Sequence, residues 1–243
     1  MKRIFLMTAV LFFLISCTEQ SKTEKGLFQL NHIVEKKADL SDLLDSVEYI
    51  ALETTDESLL PGLSKLLCVK DNFYASAETE VMKFNSNGRF IGKLSMLGNG
   101  PQDYLSINDY DIVLRNNEEE IWIAHQRGIS CYSAEDFSFL RLIPLDISVL
   151  HFKYVSDGAI IIQTSGEYSF YLCNMEGVLR NEFLPNDPAN LSHSMMQFVD
   201  SDNGIFCILA GTDEAVHYNE KQDCLELLRY IEGVDNVLTR SDN

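Results

Sequence analysis

After Leu63 the chain repeats one unit: a short apolar strand, a turn rich in Asp, Asn, Gly and Ser, and another strand. Four turns expose the period. They are Phe84-Asn85-Ser86-Asn87-Gly88, Tyr132-Ser133-Ala134-Glu135-Asp136, Cys173-Asn174-Met175-Glu176-Gly177 and Tyr218-Asn219-Glu220-Lys221-Gln222, and their first residues stand 48, 41 and 45 positions apart. Each turn leads into a further β-type run: Arg89 to Leu94, Phe137 to Ile143, Val178 to Leu184, and Cys224 to Ile231. No helical period interrupts the pattern. Units of roughly 40–50 residues holding four strands each have the form of β-propeller blades.

The remaining strands fall into the same scheme. The second unit predicts strands at Tyr110 to Leu114, Glu120 to Ala124, Gly128 to Tyr132 and Phe137 to Ile143. The third predicts them at Val149 to Val155, Ala159 to Gln163, Tyr168 to Cys173 and Val178 to Leu184. A run such as Ala159-Ile160-Ile161-Ile162 suits a strand buried on both faces between blades, and Trp122 in a central strand is read as core. A β-sandwich is also built from many short strands. The regular order of strand, turn and strand favours the propeller, so the expected fold is all-β, with four-stranded antiparallel blades.

The N-terminus has its own grammar. Lys2-Arg3 precedes an apolar run from Ile4 to Ile15, and Ser16-Cys17 follows. A basic start, a short apolar run and small residues before a cleavage point describe a secretory signal. The run of about a dozen residues is shorter than the roughly 20 needed to span a bilayer. Cys17 directly after that small residue resembles the lipobox of bacterial lipoproteins, which implies lipidation (palmitate among the acyl groups) at Cys17. An ordinary secretory signal with an incidental cysteine is the alternative. The expected organisation is signal peptide 1–16, flexible tether 17–39, with TEQSKTEKG at Thr18 to Gly26 short of apolar residues, and propeller blades 40–243. A short helical turn is expected at Leu40 to Asp45. Val47-Glu48-Tyr49-Ile50-Ala51-Leu52 alternates as a strand does.

Cleavage before Cys17 would leave 227 residues, enough for one substantial core, and take the formal charge from −18 to −20. No block of Lys or Arg breaks that acidity, which argues against nucleic acid and against an electrostatic grip on anionic lipid. The acidity suits a basic partner or divalent cations, or serves solubility alone. Beyond Cys17 the cysteines are Cys68, Cys131, Cys173, Cys207 and Cys224, with no C-x-x-C spacing. Most lie in apolar runs, so buried free thiols are expected; disulfides are the alternative, and the odd count would leave one thiol over.

Two motifs carry a resemblance. Glu48-Tyr49-Ile50-Ala51-Leu52-Glu53-Thr54-Thr55, followed by Gly98-Asn99-Gly100-Pro101-Gln102-Asp103-Tyr104, is similar to the six-bladed β-propeller lipoproteins of Gram-negative bacteria. The resemblance runs from Cys17 onward. Gln102 and Asp103 depart from it, standing where that family has glycine and glutamate. It implies six blades, whereas four are counted between Leu63 and Ile231; two more would need about 90 residues at this period. The expectation is therefore a shortened six-bladed ring, with a closed four-bladed ring as the alternative. By analogy, Val47 to Leu52 would close the ring by pairing with the last blade.

The candidate ligand-contacting residues are Gly98, Gly100, Pro101, Asp103, Tyr104, Asp109 and Asp111. The Gly98 to Pro101 loop suits a tight reversal. It lacks the Lys-Ser/Thr and the G-x-G-x-x-G spacing of phosphate loops, and a plain connector is the competing reading. Asp103, Asp109 and Asp111 fall close together, and loops leading into blades often line the central channel, where carboxylates can bind calcium. Turn chemistry explains them equally. Asp200-Ser201-Asp202-Asn203-Gly204 fails the EF-hand spacing. Tyr104 and Tyr110 are candidates for stacking on sugars or peptides, or for packing. His32, His125, His151, His193 and His217 form no close ligand pair, with His151 and His217 read as packing or rim residues, and no G-x-S-x-G elbow occurs. Expected cofactors are none, calcium being the one weak candidate.

These features predict a lipid-anchored, cell-envelope binding module, placed at the outer membrane with its membrane face open. The expected partners are the membrane through the N-terminal lipid and a peptide, glycan or protein, with no nucleic acid. The alternative is a metal-dependent propeller hydrolase or lyase of the lactonase kind. A degraded remnant is the third possibility.

Overall fold

A computed structural model describes residues 44, 46–77, 79–155, 158–186, 198–201, 204–209 and 214–229. The expected signal peptide, Cys17, the tether, most of the expected helical turn, His32, His193, Asp202 and Asn203 lie outside these residues.

Every regular element among them is a β-strand, and the sixteen strands form four meanders. Blade 1 holds β1 (Lys65–Val69), β2 (Asn72–Ala77), β3 (Glu80–Asn85) and β4 (Phe90–Leu94). Blade 2 holds β5 (Asp109–Arg115), β6 (Glu118–His125), β7 (Gly128–Ser133) and β8 (Phe139–Pro144). Blade 3 holds β9 (His151–Tyr154), β10 (Ile160–Gln163), β11 (Tyr168–Cys173) and β12 (Leu179–Pro185). Blade 4 holds β13 (Phe198–Ser201), β14 (Gly204–Ile208), β15 (Glu214–Asn219) and β16 (Cys224–Arg229). Strands pair antiparallel in chain order within each blade, so the described residues form four four-stranded blades of a β-propeller.

Neighbouring blades stack face to face, and the buried side chains lie between them. Tyr74, Val81 and Leu94 of blade 1 meet Ile112, Ile121 and Tyr132 of blade 2. Trp122, Ile129 and Cys131 of blade 2 meet Phe152, Ile160 and Tyr171 of blade 3. Ile161, Phe170 and Leu172 of blade 3 meet Ile205, Val216 and Tyr218 of blade 4. The apolar runs read as double-faced strands are therefore buried for the reason anticipated: each face has a blade against it.

The turn that set the period closes blades 1, 3 and 4 the same way. Asn85, Asn174 and Asn219 each turn a side-chain oxygen onto backbone N–H groups ahead: Asn87 and Arg89, Glu176 and Val178, Lys221 and Gln222. The bond from Asn85 to Arg89 is 3.0 Å and that from Asn174 to Val178 is 2.9 Å. In blades 1 to 3 a register shift interrupts pairing of the third and fourth strands, and such bulges increase local twist. Gly177 holds the left-handed position at φ +78°, and a Cβ there would come 2.0 Å from the Pro144 carbonyl oxygen of blade 2. Gly177→Ala is expected to cost roughly 2–4 kcal/mol, from left-handed strain and overpacking. Equilibrium urea unfolding would measure it, and a loss under about 1 kcal/mol would show that this turn does not hold blade 3 against blade 2.

Two expectations are corrected. Val47 to Leu52 is not a strand and, among the described residues, pairs with no blade; Tyr49 is 93% exposed. The chain instead runs along the end of blade 1. There the Glu53 N–H donates to the Gly88 carbonyl at 2.7 Å, and Leu52 and Leu60 pack on Ala75, Met82 and Phe84. Alternation alone does not make a strand without an edge to supply its ladder bonds. The buried thiols are Cys131, Cys173 and Cys207, each pushed up to about 12 by burial. Cys68, by contrast, is exposed and Cys224 half-buried. Cys68 shares with Leu66 the face of β1 opposite to that packed on blade 2, so its apolar run does not bury it.

Candidate functional site

The innermost strands β1, β5, β9 and β13 run side by side around the axis, and between them lies a cavity of about 290 Å³. The same positions of each strand face it. The first and third residues are Lys65 and Leu67 in β1, Asp109 and Asp111 in β5, His151 and Lys153 in β9, and Phe198 and Asp200 in β13. Side chains two residues apart share one face of a strand. Charges that would be exposed on an ordinary sheet are thereby collected into one hollow.

Burying those charges demands partners. Asp109 is 7% exposed and engages three blades. Its Oδ1 accepts from Lys65 Nζ at 2.9 Å, and its Oδ2 accepts from the Phe152 N–H at 3.2 Å. His151 Nδ1 stands 3.5 Å from the same Oδ2. Burial would raise this carboxyl, but the His151 contact and the Lys65 charge outweigh it and hold it below its ordinary 3.8. Two residues on, Asp111 is 8% exposed and behaves oppositely. Burial lifts its carboxyl above the ordinary value, against the pull of Lys153 and Lys65. Lys153 Nζ lies 3.2 Å from Asp111 and 2.9 Å from Asp200. Burial opposes its charge, yet the two carboxylates raise its pKa, so it stays an ammonium ion. A second hollow of about 450 Å³ continues along the inner strands, and Leu67, Asp111, Lys153 and Asp200 line both.

The candidate residues read from sequence separate into two groups. Asp109 and Asp111 line the axial cavity, whereas Gly98, Gly100, Pro101, Asp103 and Tyr104 do not. Asp103 folds back onto its own loop: its Oδ2 accepts from the Gly100 N–H at 2.7 Å. Arg127 and Tyr132 of blade 2 donate to the backbone carbonyls of Asp103 and Gln102, so the loop ties blade 1 to blade 2. Tyr104 is fully buried, its hydroxyl donating to the Thr79 carbonyl at 2.9 Å and its ring edge-on to Tyr132. Tyr110 is buried too, its hydroxyl donating to the Tyr74 carbonyl at 2.7 Å. Neither ring is presented for stacking on a ligand.

Of the histidines, His151 reaches the cavity, His217 stacks on Phe206 at 4.6 Å, and His125 is buried beside Ser130. Among the described residues, no three His, Cys, Asp or Glu side chains converge as metal ligands would. Lys65 and Lys153 escaped sequence reading, and Asp200 entered it only within the Asp200 to Gly204 run that fails the EF-hand spacing. Their signal was a charged residue at the first or third place of the strand that opens each repeat, visible only once the repeats are aligned on their inner strands.

Comparison with known proteins adds the family. No curated protein matches the sequence. A solved Bacteroides fragilis structure, of a protein described as exported, superposes with a TM-score of 0.66 at 15% identity, covering 85% of this chain and 59% of that one. This chain thus spans under two thirds of that protein's length, and at such identity the likeness speaks for the fold alone. AztD from Citrobacter koseri matches at 16% identity over 73% of this chain and 50% of its own. Its TM-score of 0.48 is too low to support any inference. The profile of one family covers residues 27–223, most of the chain, and on that match this propeller belongs to the domain of unknown function DUF4934.

Proposed function

We propose that this propeller is a lipid-anchored binding module of the cell envelope, held at the outer membrane through Cys17, that receives part of a peptide, glycan or protein partner in its axial cavity. The observation that carries the binding site is the convergence of Lys65, Asp109, Lys153 and Asp200 from four different blades on one hollow. Such an arrangement gathers polar groups of both signs at a concave place lined also by apolar side chains, as ligand sites do. The anchor reading rests on Lys2-Arg3, the Ile4 to Ile15 run and Ser16-Cys17.

Two measurements test the two halves. Fractionation of cells expressing the Cys17→Ala form should move the protein from the membrane to the soluble envelope fraction. A processed Cys17→Ala chain that stayed in the membrane would remove the lipid anchor. Capture from detergent-solubilised envelope by the intact lipidated protein should yield a partner that the Asp111→Asn/Lys153→Met double variant loses. Undiminished capture by that variant would take the cavity out of the binding reading.

A further inference from the structure

The charges of the axial cavity are not equally anchored. Asp109 and Asp111 are buried and each accepts backbone N–H bonds in addition to its lysine: Phe152 for Asp109 at 3.2 Å, and Ile112 for Asp111 at 2.9 Å. Lys65 Nζ is held on both sides, by Asp109 Oδ1 at 2.9 Å and by the Tyr110 carbonyl at 2.6 Å. Asp200 stands apart. Its side chain is 65% exposed, and its ion pair is to Lys153 Nζ at 2.9 Å. Lys153 itself is only 20% exposed and sits where the two hollows meet.

This asymmetry decides which ligand charge can enter. A cation reaching Asp109 or Asp111 would have to expel a lysine from a buried carboxylate, and breaking a buried pair is strongly unfavourable. An anion need only take the place of a solvent-exposed aspartate, whose hold on the lysine is screened by water. Asp111 would remain on the far side of Lys153, keeping the ammonium charged and in place. Lys65 adds a second ammonium group to the same cavity wall. Building on the binding reading above, we propose that the ligand presents a carboxylate to Lys153, and that Asp200 occupies this position when the cavity is empty, as an internal competitor.

The test uses the full chain carrying Cys17→Ala and three small probes: sodium acetate, acetamide and methylammonium chloride, at constant ionic strength. Backbone amide shifts in NMR spectra report binding. Acetate should shift the amides of Asp111, Lys153 and Asp200, while acetamide and methylammonium leave them in place. Asp200→Asn removes the competitor and should tighten acetate binding roughly 3- to 10-fold. Asp111→Asn/Lys153→Met leaves no buried charge unpaired at this point and should abolish the response. Weaker acetate binding in Asp200→Asn, an undiminished response in the double variant, or silence toward acetate in both the parent and Asp200→Asn would overturn the proposal. Methylammonium shifting these amides in place of acetate would also overturn it while leaving the cavity as the binding site. Partner capture by the double variant, described above, reports on the cavity whatever acetate does.

Discussion

Trp122→Ala is expected to lower the unfolding free energy by about 3–5 kcal/mol, the range for truncating a large buried aromatic. Trp122 is wholly buried between blades 2 and 3. Its ring meets Tyr154 edge-on at 5.1 Å and lies nearly parallel to Phe152, 6.4 Å away, while the Arg141 guanidinium sits 5.4 Å over it. Its Nε1–H donates to Glu120 Oε2 at 2.8 Å, a carboxylate that also pairs with Arg141 and Arg115. Alanine removes the packing and leaves that carboxylate short of a donor. Trp122→Phe keeps most of the packing and loses the hydrogen bond, for an expected cost of about 1–3 kcal/mol. Urea unfolding of both variants separates the two contributions. If alanine cost no more than phenylalanine, packing between the blades would not be what Trp122 chiefly contributes.

The second large effect is one of pH. His125 is fully buried, with its Nε2 2.8 Å from Ser130 Oγ. Burial first, and the nearby Arg127 charge second, push its imidazole down to about 4 from an ordinary 6.5. Between those values the unfolded chain binds a proton that the folded chain refuses, so stability falls as pH drops through this window. The shift corresponds to a loss on the order of 3 kcal/mol, complete once the pH is below about 4. Asp109, whose carboxyl is lowered, acts in a different range: its contribution is present above its ordinary 3.8 and is lost below that. Asp111, whose carboxyl is raised, has the opposite sign and gains for the fold as pH falls past its raised value. Comparison with His125→Gln isolates the histidine. The wild-type urea midpoint should decline from pH 6.5 to 4 more steeply than that of the variant, and parallel curves would contradict the assignment.

Much of the architecture is legible in the sequence. The Asn-containing turns at Asn85, Asn174 and Asn219 are set by contacts within a few residues, so their spacing survives translation into blades. Ile160 to Ile162 read as buried on both faces because a run without polar residues has no face to give to water. Val47 to Leu52 reads wrongly as a strand because alternation is a property of any extended segment, whereas a strand needs a neighbour. Cys68 is misplaced for a related reason: whether a face of β1 is covered depends on a blade from elsewhere in the chain.

The candidate site shows the same division. Asp103, Asp109 and Asp111 lie within nine residues of one another and look alike as a sequence. The fold turns Asp103 back onto Gly100 and delivers Asp109 and Asp111 to the axis, where Lys65, Lys153 and Asp200 arrive from three other repeats. By itself the sequence determined the blades, because strand period and turn chemistry act over a handful of residues. Only the tertiary structure decided which charges meet and which aspartate stays exposed. Those contacts join residues far apart in the chain, and their register is set by how whole blades pack.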